Sequence, residues 1–258
     1  MTARGVRIAL LLAVLAAVGL DAWLTRTRTT SWEKTLRVSV HPIVADGREA
    51  TRQYVAALAR EDFAPIEGFL QREGARYGVA LAEPAMVWLR PRLDQLPPLP
   101  PPDRGLLGTI GWSLKLRWFA NRREAAQPQP RGQARIFVLY YDPETSPTVA
   151  HSLGLKEGLI GIVHAFATRS MTQANNVVIA HELLHTLGAT DKYDAASGQP
   201  RYPEGYAEPE LSPRHPQEFA EVMGGRIPLT PRTAEIPDGL DQVQVGPQTA
   251  AEIGWGPR

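Results

Sequence analysis

Two histidines and the glutamate between them are the residues of this sequence whose types and spacing best suit chemistry. His181 and His185 are four positions apart, and Glu182 directly follows the first of them. On a helix, side chains at this spacing project from one face, so both imidazoles can reach a single metal ion. Glu182 can approach a water molecule on that metal and accept its proton without being a ligand. The alternative is a pair of histidines on a helix surface beside an acidic neighbour, but composition alone produces such a pattern only about 0.015 times per chain.

The metal expected at these residues is zinc, because zinc takes neutral imidazole and carboxylate ligands and lowers the pKa of a bound water towards about 7. The chain contains no cysteine, so the ligands must be His, Asp or Glu side chains. Gly188 suits the left-handed conformation that ends a helix and turns the chain back. Asp191 follows three residues later and is close enough in sequence to supply the third ligand.

The run HELLHTLGATD at residues 181–191 resembles the extended zinc motif HExxHxxGxxH/D of the metzincin metallopeptidases. It has the form that ends in Asp, as in the snapalysin-like peptidases, and the resemblance covers chiefly residues 172–191. The resemblance implies a zinc-dependent endopeptidase that hydrolyses the bonds of a peptide or protein substrate. Glu182 would be the general base. The zinc ligands would be His181, His185 and Asp191.

The family also implies a methionine in a tight turn beneath the zinc. Met223, followed by Gly224 and Gly225, comes after an irregular stretch and matches that methionine, with a core methionine as the alternative. Several metzincin families have a tyrosine two positions after the methionine that assists the oxyanion, whereas this chain has Gly225 there. Tyr193 is a candidate substitute for that tyrosine, or else it packs beneath the loop.

A further implication of the resemblance is an edge strand that lies above the active-site helix and binds substrate in antiparallel fashion. Residues 161–167 precede the helix and are predicted to be that strand. His164 lies within it and is a candidate substrate contact. The other histidines outside the motif, His41, His151 and His215, have no motif partners, and we expect them to pack in the core or lie on the surface.

Two other functions stay open at this point. The first is a gluzincin, in which Glu204, Glu208 or Glu210 replaces Asp191 as the third ligand. The second is a zinc-stabilised binding domain without catalysis, against which the presence of Glu182 argues, because a structural site does not need it. Peptide deformylases share the HExxH pattern but use a cysteine ligand, which this chain lacks.

The spacing of apolar residues predicts an α/β (α+β) fold, and the resemblance implies a zincin-like mixed twisted sheet with an active-site helix. The predicted strands are residues 35–44, 85–89, 135–141 and 161–167. The predicted helices are residues 48–60, 63–75, 110–126, a helix from 172 or 175 to 188, and a last helix from Pro247. Residues 194–241 are rich in Gly and Pro, so we expect the C-terminal part to be irregular up to that last helix.

Two stretches allow more than one interpretation. Residues 110–119 alternate like a strand, yet Trp112, Leu116 and Phe119 fall on one helical face, and the helix formers of residues 121–126 favour a helix. Basic residues are interleaved with this pattern, namely Lys115, Arg117, Arg122 and Arg123. They either rest on a membrane surface or accompany ordinary packing on the sheet. The proline-rich residues 96–103 are predicted to form an extended surface loop within one domain.

The N-terminal residues 1–30 are predicted to be a signal anchor or a signal peptide. Arg4 and Arg7 precede an apolar stretch over residues 8–20. Small residues at 17–19 favour cleavage, whereas the apolar segment counted over residues 6–24 approaches the length of a membrane span. Both interpretations predict that residues 31–258 form an exported metallopeptidase domain, either membrane-anchored or secreted or periplasmic.

Composition sets the remaining limits. With 258 residues, 43% of them hydrophobic, the chain is long enough for one sizeable domain or two small ones. Twenty-eight basic residues against 27 acidic ones leave a net charge of +1, far from the basic balance expected of a nucleic-acid-binding domain. We therefore expect a peptide or protein substrate, a membrane contact through the N-terminal segment, and no nucleic-acid partner.

Overall fold

The computed structural model describes residues 30–101, 105–125, 130–156 and 158–256, together with the single residues Gly5 and Leu12. The expected signal or anchor lies, apart from those two residues and Thr30, outside the described part of the chain. No helix of the described residues is long and apolar enough to cross a bilayer.

A five-stranded mixed sheet forms the centre of an α+β fold, as the sequence predicts. Its strands are β1 (Leu36–Val44), β2 (Ala85–Leu89), β3 (Ala134–Tyr141), β4 (Leu153–Leu155) and β5 (Ile160–Phe166). The spatial order is β2-β1-β3-β5-β4, with β4 antiparallel to β5 and the other pairs parallel. The inner strands are buried on both faces, as expected of parallel strands with helices on either side.

Five helices surround this sheet. They are α1 (Glu49–Ala56), α2 (Ala64–Arg76), α3 (Leu106–Ala125), α4 (Thr172–Leu187) and α5 (Pro247–Glu252). Three short 3-10 turns accompany them, at Arg60–Phe63, Arg169–Met171 and Leu240–Gln242. Each predicted helix is confirmed to within a few residues. Pro247 begins α5 at its first position, where the missing N–H loses no hydrogen bond within the helix.

The sheet separates two hydrophobic cores. One face is covered by α1, α2, α4 and the C-terminal segment, and Phe69 and Tyr140 are among the side chains buried there. The other face is covered by α3, whose Trp112 and Leu116 pack against Phe137 of β3. The ambiguous stretch at 110–119 is thus a helix, because its apolar residues at helical spacing meet the sheet.

The proline-rich segment has no regular secondary structure over residues 96–101 and lies against α3. The indole Nε1 of Trp112 donates a hydrogen bond to the carbonyl of Pro98 at 2.8 Å. The region beyond α4 is irregular, also as predicted, and contains only short strands before α5. These are β6 (Ala220–Glu221), β7 (Ile227–Pro228), β8 (Ala234–Glu235) and β9 (Val243–Gln244).

One element was not predicted, and it corrects the assignment of the edge strand. Residues 161–167 were expected to form the edge, but β5 lies inside the sheet because β4 pairs with it on the outer side, Leu153 opposite Ile162 and Leu155 opposite Ile160. The edge strand of this side of the sheet is therefore β4, Leu153–Leu155.

Strand β4 passes very close to α4, and Gly154 makes this approach possible. A Cβ atom on Gly154 would lie 2.4 Å from the Cβ of His185 and 2.7 Å from the carbonyl oxygen of Glu182. Neither atom can move without shifting α4, because the Cβ of His185 is bonded directly to the helix backbone and the carbonyl oxygen of Glu182 is part of it. Any larger residue at this position must separate the strand from the helix.

We expect Gly154→Ala to destabilise the protein by about 1–3 kcal/mol, because forced overpacking displaces a strand or a helix. Chemical denaturation measures the change. Gly68→Ala in α2 is the matched control, since a Cβ at that position meets nothing within 4 Å. The control should raise the free energy of unfolding by about 0.5–1 kcal/mol through better helix propensity. If Gly154→Ala is as well tolerated as Gly68→Ala, β4 and α4 are not held in this close contact.

Candidate metal centre

The helix that holds the two histidines ends as the sequence predicts. Gly188 has a left-handed backbone with φ of 114°, and the amides of Gly188 and Ala189 donate to the carbonyl of Leu184 at 3.1 and 3.0 Å. A side chain at the glycine would be strained in this conformation. The reversal of the chain brings Asp191 back beneath the last turn of α4.

Backbone carbonyls fix the orientation of both imidazoles. The Nδ1 atom of His181 lies 2.8 Å from the carbonyl oxygen of Val222, and that of His185 lies 2.9 Å from the carbonyl oxygen of Ala189. Because a carbonyl oxygen only accepts hydrogen bonds, each Nδ1 must carry a proton and donate it. In the neutral imidazoles the Nε2 atoms therefore present lone pairs, which is the state that binds metals.

The carboxylate of Asp191 faces both of these nitrogens. Its Oδ1 atom lies 3.2 Å from Nε2 of His181 and 3.0 Å from Nε2 of His185. Three electron-rich atoms thus converge on one point, an arrangement that repels itself unless a cation lies among them or the imidazoles are doubly protonated. The two imidazoles face each other edge to face, with ring centroids 4.7 Å apart.

A second carboxylate borders the same site. The ligand atoms of His181, Glu182 and His185 all lie within 4.8 Å of one another, a spacing that can hold a metal ion. Asp191 is not part of that three-residue group, yet its carboxylate makes the closer contacts with the two Nε2 atoms. Asp191 meets both nitrogens through a single oxygen atom and is therefore placed as the third member of the ligand set. The donor set of imidazole and carboxylate suits zinc.

Glu182 is buried, with 5% of its surface exposed, and its Oε2 atom has no hydrogen-bond partner among the described residues. Burial raises the pKa of Glu182, although the nearby His181 and His185 partly oppose that rise. An unpartnered buried carboxylate oxygen is unfavourable and is usually explained by a ligand, an ion or water. Glu182 therefore has the environment of a proton acceptor rather than of a structural ion pair.

The charges of the site shift the pKa values of its other groups. Burial on its own would raise the pKa of Asp191, but the hydrogen bonds and charges of His181 and His185 hold it well below its usual range. For His181, burial alone would lower the pKa, and the contacts with Asp191, Glu182 and the carbonyl of Val222 raise it above its ordinary value. Protonated imidazoles and ionised carboxylates therefore stabilise one another at this site when no metal ion lies between them.

Met223 lies in a turn directly beside this centre and is fully buried. The carbonyl of the preceding Val222 is the acceptor for His181, and the carbonyl of Met223 accepts a hydrogen bond from the amide of Lys192 at 2.9 Å. Gly225 follows in a left-handed conformation, with φ of 71°. The turn therefore joins the first histidine to the segment that follows Asp191.

Glu221 holds this turn in place and was not singled out by sequence reasoning. Its carboxylate accepts hydrogen bonds from the amides of Met223 and Gly224, at 2.7 and 2.8 Å, within the turn. It also accepts from the amide of Gly246 at 3.1 Å and from the hydroxyl of Thr249 at 2.6 Å, at the start of α5. Burial raises the pKa of Glu221, and these hydrogen bonds oppose that rise. No local pattern of residues signals this role.

The two candidate contacts outside the motif lie in different places. The ring of Tyr193 lies 6.4 Å from the ring of His181, and burial together with the charge of Asp191 raises the pKa of Tyr193 to about 12. Tyr193 is therefore a neutral hydroxyl beside the centre. His164 stacks on Tyr141 instead. In β5, Ile162 packs in the core under α3 and Val163 in the core on the other face. Because alternate residues of a strand share a face, His164 lies on the same face as Ile162, the α3 face. The sheet thus separates His164 from α4.

The glutamates considered as alternative ligands are not paired with the two histidines in the described part of the chain. Among the described residues, none of Glu204, Glu208 and Glu210 forms an ion pair with either imidazole of the centre, whereas Asp191 does so with both. The backbone amide of Glu208 is instead bonded to the side chain of Gln217. Comparison of the chain with models of protein families gives no match, and comparison with curated proteins gives none either. Any assignment of function therefore depends on the chemistry of the site.

Proposed function

We propose that this chain is a zinc-dependent endopeptidase of the metzincin type. The observation that supports it most is the convergence of two Nε2 atoms and one carboxylate oxygen on a single point. Beside them lies a buried carboxylate oxygen of Glu182 that has no hydrogen-bond partner in the described part of the chain. His181, His185 and Asp191 would hold the zinc, and Glu182 would be the general base. The resemblance of residues 181–191 to the metzincin motif supports the same roles.

When bound, the zinc would polarise the scissile carbonyl and acidify a water molecule. Glu182 would accept the proton of that water and pass it to the leaving amine. Its raised pKa suits this double role, because a carboxyl group whose pKa approaches the working pH can both accept and donate a proton. The carbonyls of Val222 and Ala189 would keep the Nε2 atoms in the metal-binding tautomer throughout.

Substrate would lie along β4 rather than along β5. Leu153–Leu155 is the outer strand of the sheet on this side, and Gly154 brings its backbone within contact of α4 beside Glu182. An extended peptide can add to such an edge through main-chain hydrogen bonds. Tyr193, neutral at ordinary pH and next to His181, is the side chain we propose as a donor to the developing oxyanion.

Two rival functions predict different behaviour. A gluzincin would use Glu204, Glu208 or Glu210 as third ligand, which the contacts of Asp191 disfavour. A zinc-stabilised binding domain would bind the metal but would not need a buried general base, which Glu182 disfavours. We also propose that the domain is exported, anchored by the N-terminal segment or released after its cleavage, because Arg4 and Arg7 precede an apolar stretch.

The proposal predicts that the purified full-length chain contains about one zinc ion. Metal analysis by mass spectrometry measures the content, and a chelator should lower the melting temperature until zinc is restored. Hydrolysis of an unstructured protein substrate should disappear and return with the metal. Magnesium added in place of zinc is the control, since imidazole ligands bind it poorly. Folded protein without zinc, and with a melting temperature that zinc does not change, would refute the proposal.

A further inference from the structure

An apolar stripe runs along the outer face of α3, on the side turned away from the sheet. Ile110, Leu114 and Trp118, at successive intervals of four residues, are 48%, 55% and 63% exposed. Side chains at this spacing share one face of a helix, and the apolar residues that pack on the sheet lie on the opposite face. These three residues, called the α3 stripe below, contribute nothing to the core.

Further apolar side chains extend the stripe. Leu96 and Leu99 of the proline-rich segment are 48% and 49% exposed. Their segment is held against α3 by the hydrogen bond from Trp112 to the carbonyl of Pro98 and by a contact between Arg123 and Gln95. Five of the nine exposed large apolar residues of the described chain thus belong to α3 or to the segment bound to it. Single exposed apolar residues are ordinary, but a concentration of them indicates a contact surface.

The exposed charged side chains of helix α3 are all basic. Helix α3 contains four basic residues and one acidic residue, Glu124, which is buried and paired with His41 of the sheet. Lys115 and Arg122 are exposed, and neither forms an ion pair among the described residues. The guanidinium of Arg122 lies 5.2 Å above the ring of Trp118. The exposed face of α3 is therefore apolar and basic, although the whole chain has a net charge of only +1.

We infer that the α3 stripe docks on the surface of an anionic lipid bilayer. Apolar side chains would enter the boundary between headgroups and acyl chains, while Lys115 and Arg122 would extend to the anionic headgroups. Trp118 is suited to this depth, because tryptophan is enriched at membrane interfaces. An anionic bilayer fits this face because it takes exposed apolar side chains and the exposed basic side chains beside them at the same time.

Two other partners for the α3 stripe are the N-terminal segment of the chain and a second copy of the chain. Their charge makes both less suitable than an anionic bilayer. The N-terminal apolar segment is flanked by Arg4, Arg7, Arg26 and Arg28, so it would bring more positive charge to a basic face. In a symmetric pair of copies, the basic face would meet itself, with Lys115 and Arg122 of each copy near those of the other. An anionic bilayer neutralises the charge in place of adding to it.

The absence of native cysteine gives a direct test in the full-length chain. Leu114→Cys, labelled with an environment-sensitive fluorophore, reports on the stripe, and Ile236→Cys is a matched control, since Ile236 is a comparably exposed apolar residue, 62% against 55%. Each labelled chain is mixed with phosphatidylcholine vesicles, with or without an equal amount of phosphatidylglycerol, containing a lipid-attached quencher. Because both chains have the same N-terminal segment, its membrane insertion affects them equally.

We expect the label at 114 to shift to the blue and to be quenched with phosphatidylglycerol, while the label at 236 is not. Adding Lys115→Gln and Arg122→Gln should lower the docking equilibrium constant about 30-fold, with the melting temperature unchanged. Equal behaviour of the two labels, or equal quenching of the label at 114 without phosphatidylglycerol, overturns the inference.

Two further outcomes also overturn it by identifying another occupant. A blue shift that depends on protein concentration without vesicles assigns the stripe to self-association. A shift with soluble polyglutamate but not with vesicles assigns it to an acidic polypeptide. None of these outcomes depends on zinc or on hydrolysis, so the inference and the proposed function can fail separately.

Discussion

Replacement of Glu182 by Gln is expected to lower the rate of peptide hydrolysis about 10³-fold, because an amide of the same shape cannot accept a proton from water. The zinc content should stay at one per chain, since Glu182 is proposed as a base and not as a ligand. The melting temperature should stay equal or rise, because the substitution removes a buried carboxylate whose Oε2 atom has no partner among the described residues. Steady-state kinetics, metal analysis and thermal unfolding measure the three quantities.

Glu210→Gln is the control for Glu182→Gln, since Glu210 is exposed and forms no ion pair with either histidine of the centre among the described residues. The control should retain full activity. Undiminished hydrolysis by Glu182→Gln would remove this residue from the mechanism. If neither the parent chain nor the variant hydrolyses any peptide, although both bind zinc, the zinc-stabilised binding domain becomes the better description.

Replacement of Asp191 by Ala is expected to weaken zinc binding at least about 100-fold, because the change removes a ligand and not merely an outer-shell partner of one. The Oδ1 atom of Asp191 lies 3.0 Å from Nε2 of His185 and 3.2 Å from Nε2 of His181, so the change removes the carboxylate oxygen that contacts both nitrogens. Asp191→His should recover zinc binding, because imidazole is also a common zinc ligand. Competition with a chromogenic chelator measures the affinity of each variant.

The controls for Asp191→Ala distinguish the metzincin arrangement from the gluzincin one. Glu204→Ala, Glu208→Ala and Glu210→Ala should each keep the zinc affinity of the parent chain. Glu204 lies in a turn next to Pro203, and no ion pair joins it to the two histidines among the described residues. Zinc affinity that survives Asp191→Ala but collapses on losing one of these glutamates would make the gluzincin the correct assignment.

Local sequence signals were sufficient for the elements that hold the site. The helix α4 and its end at Gly188 follow from apolar spacing and from a glycine that adopts φ of 114°. Asp191 follows that glycine by three residues, so its position under the histidines depends on a local turn. Local chemistry of this kind can be seen in a single sequence.

The sequence did not reveal strand β4, the identity of the edge strand or the face that His164 occupies, because these depend on how strands pair across the sheet. Strand β4 is only Leu153–Leu155, too short for a periodic pattern, and it is a strand because it pairs with β5. The same pairing decides which strand is the edge. His164 was considered beside the substrate, but alternate residues of a strand face opposite sides, and its side faces Tyr141 and α3. A shift of β5 by one residue would therefore move His164 to the opposite face of the sheet.

Glu221 illustrates a third limit. Its carboxylate accepts hydrogen bonds from two amides of its own turn, from the amide of Gly246 and from the hydroxyl of Thr249. Backbone amides have no signature in a sequence, because every residue except proline has one. A buried acid that orders two separate segments therefore looks the same, in sequence, as an acid on the surface.

The hydrogen bonds of Glu221 should also couple the candidate metal centre to the last helix thermodynamically. His181 is oriented by the carbonyl of Val222, the neighbour of Glu221, while Glu221 itself is bonded to the start of α5 through Gly246 and Thr249. Local opening of α5 would loosen the turn and, with it, the orientation of one imidazole. Linkage makes the effect reciprocal, so zinc occupancy should slow the hydrogen exchange of amides in α5, although no residue of that helix is a ligand. The C-terminal helix would then report on metal loading from outside the site.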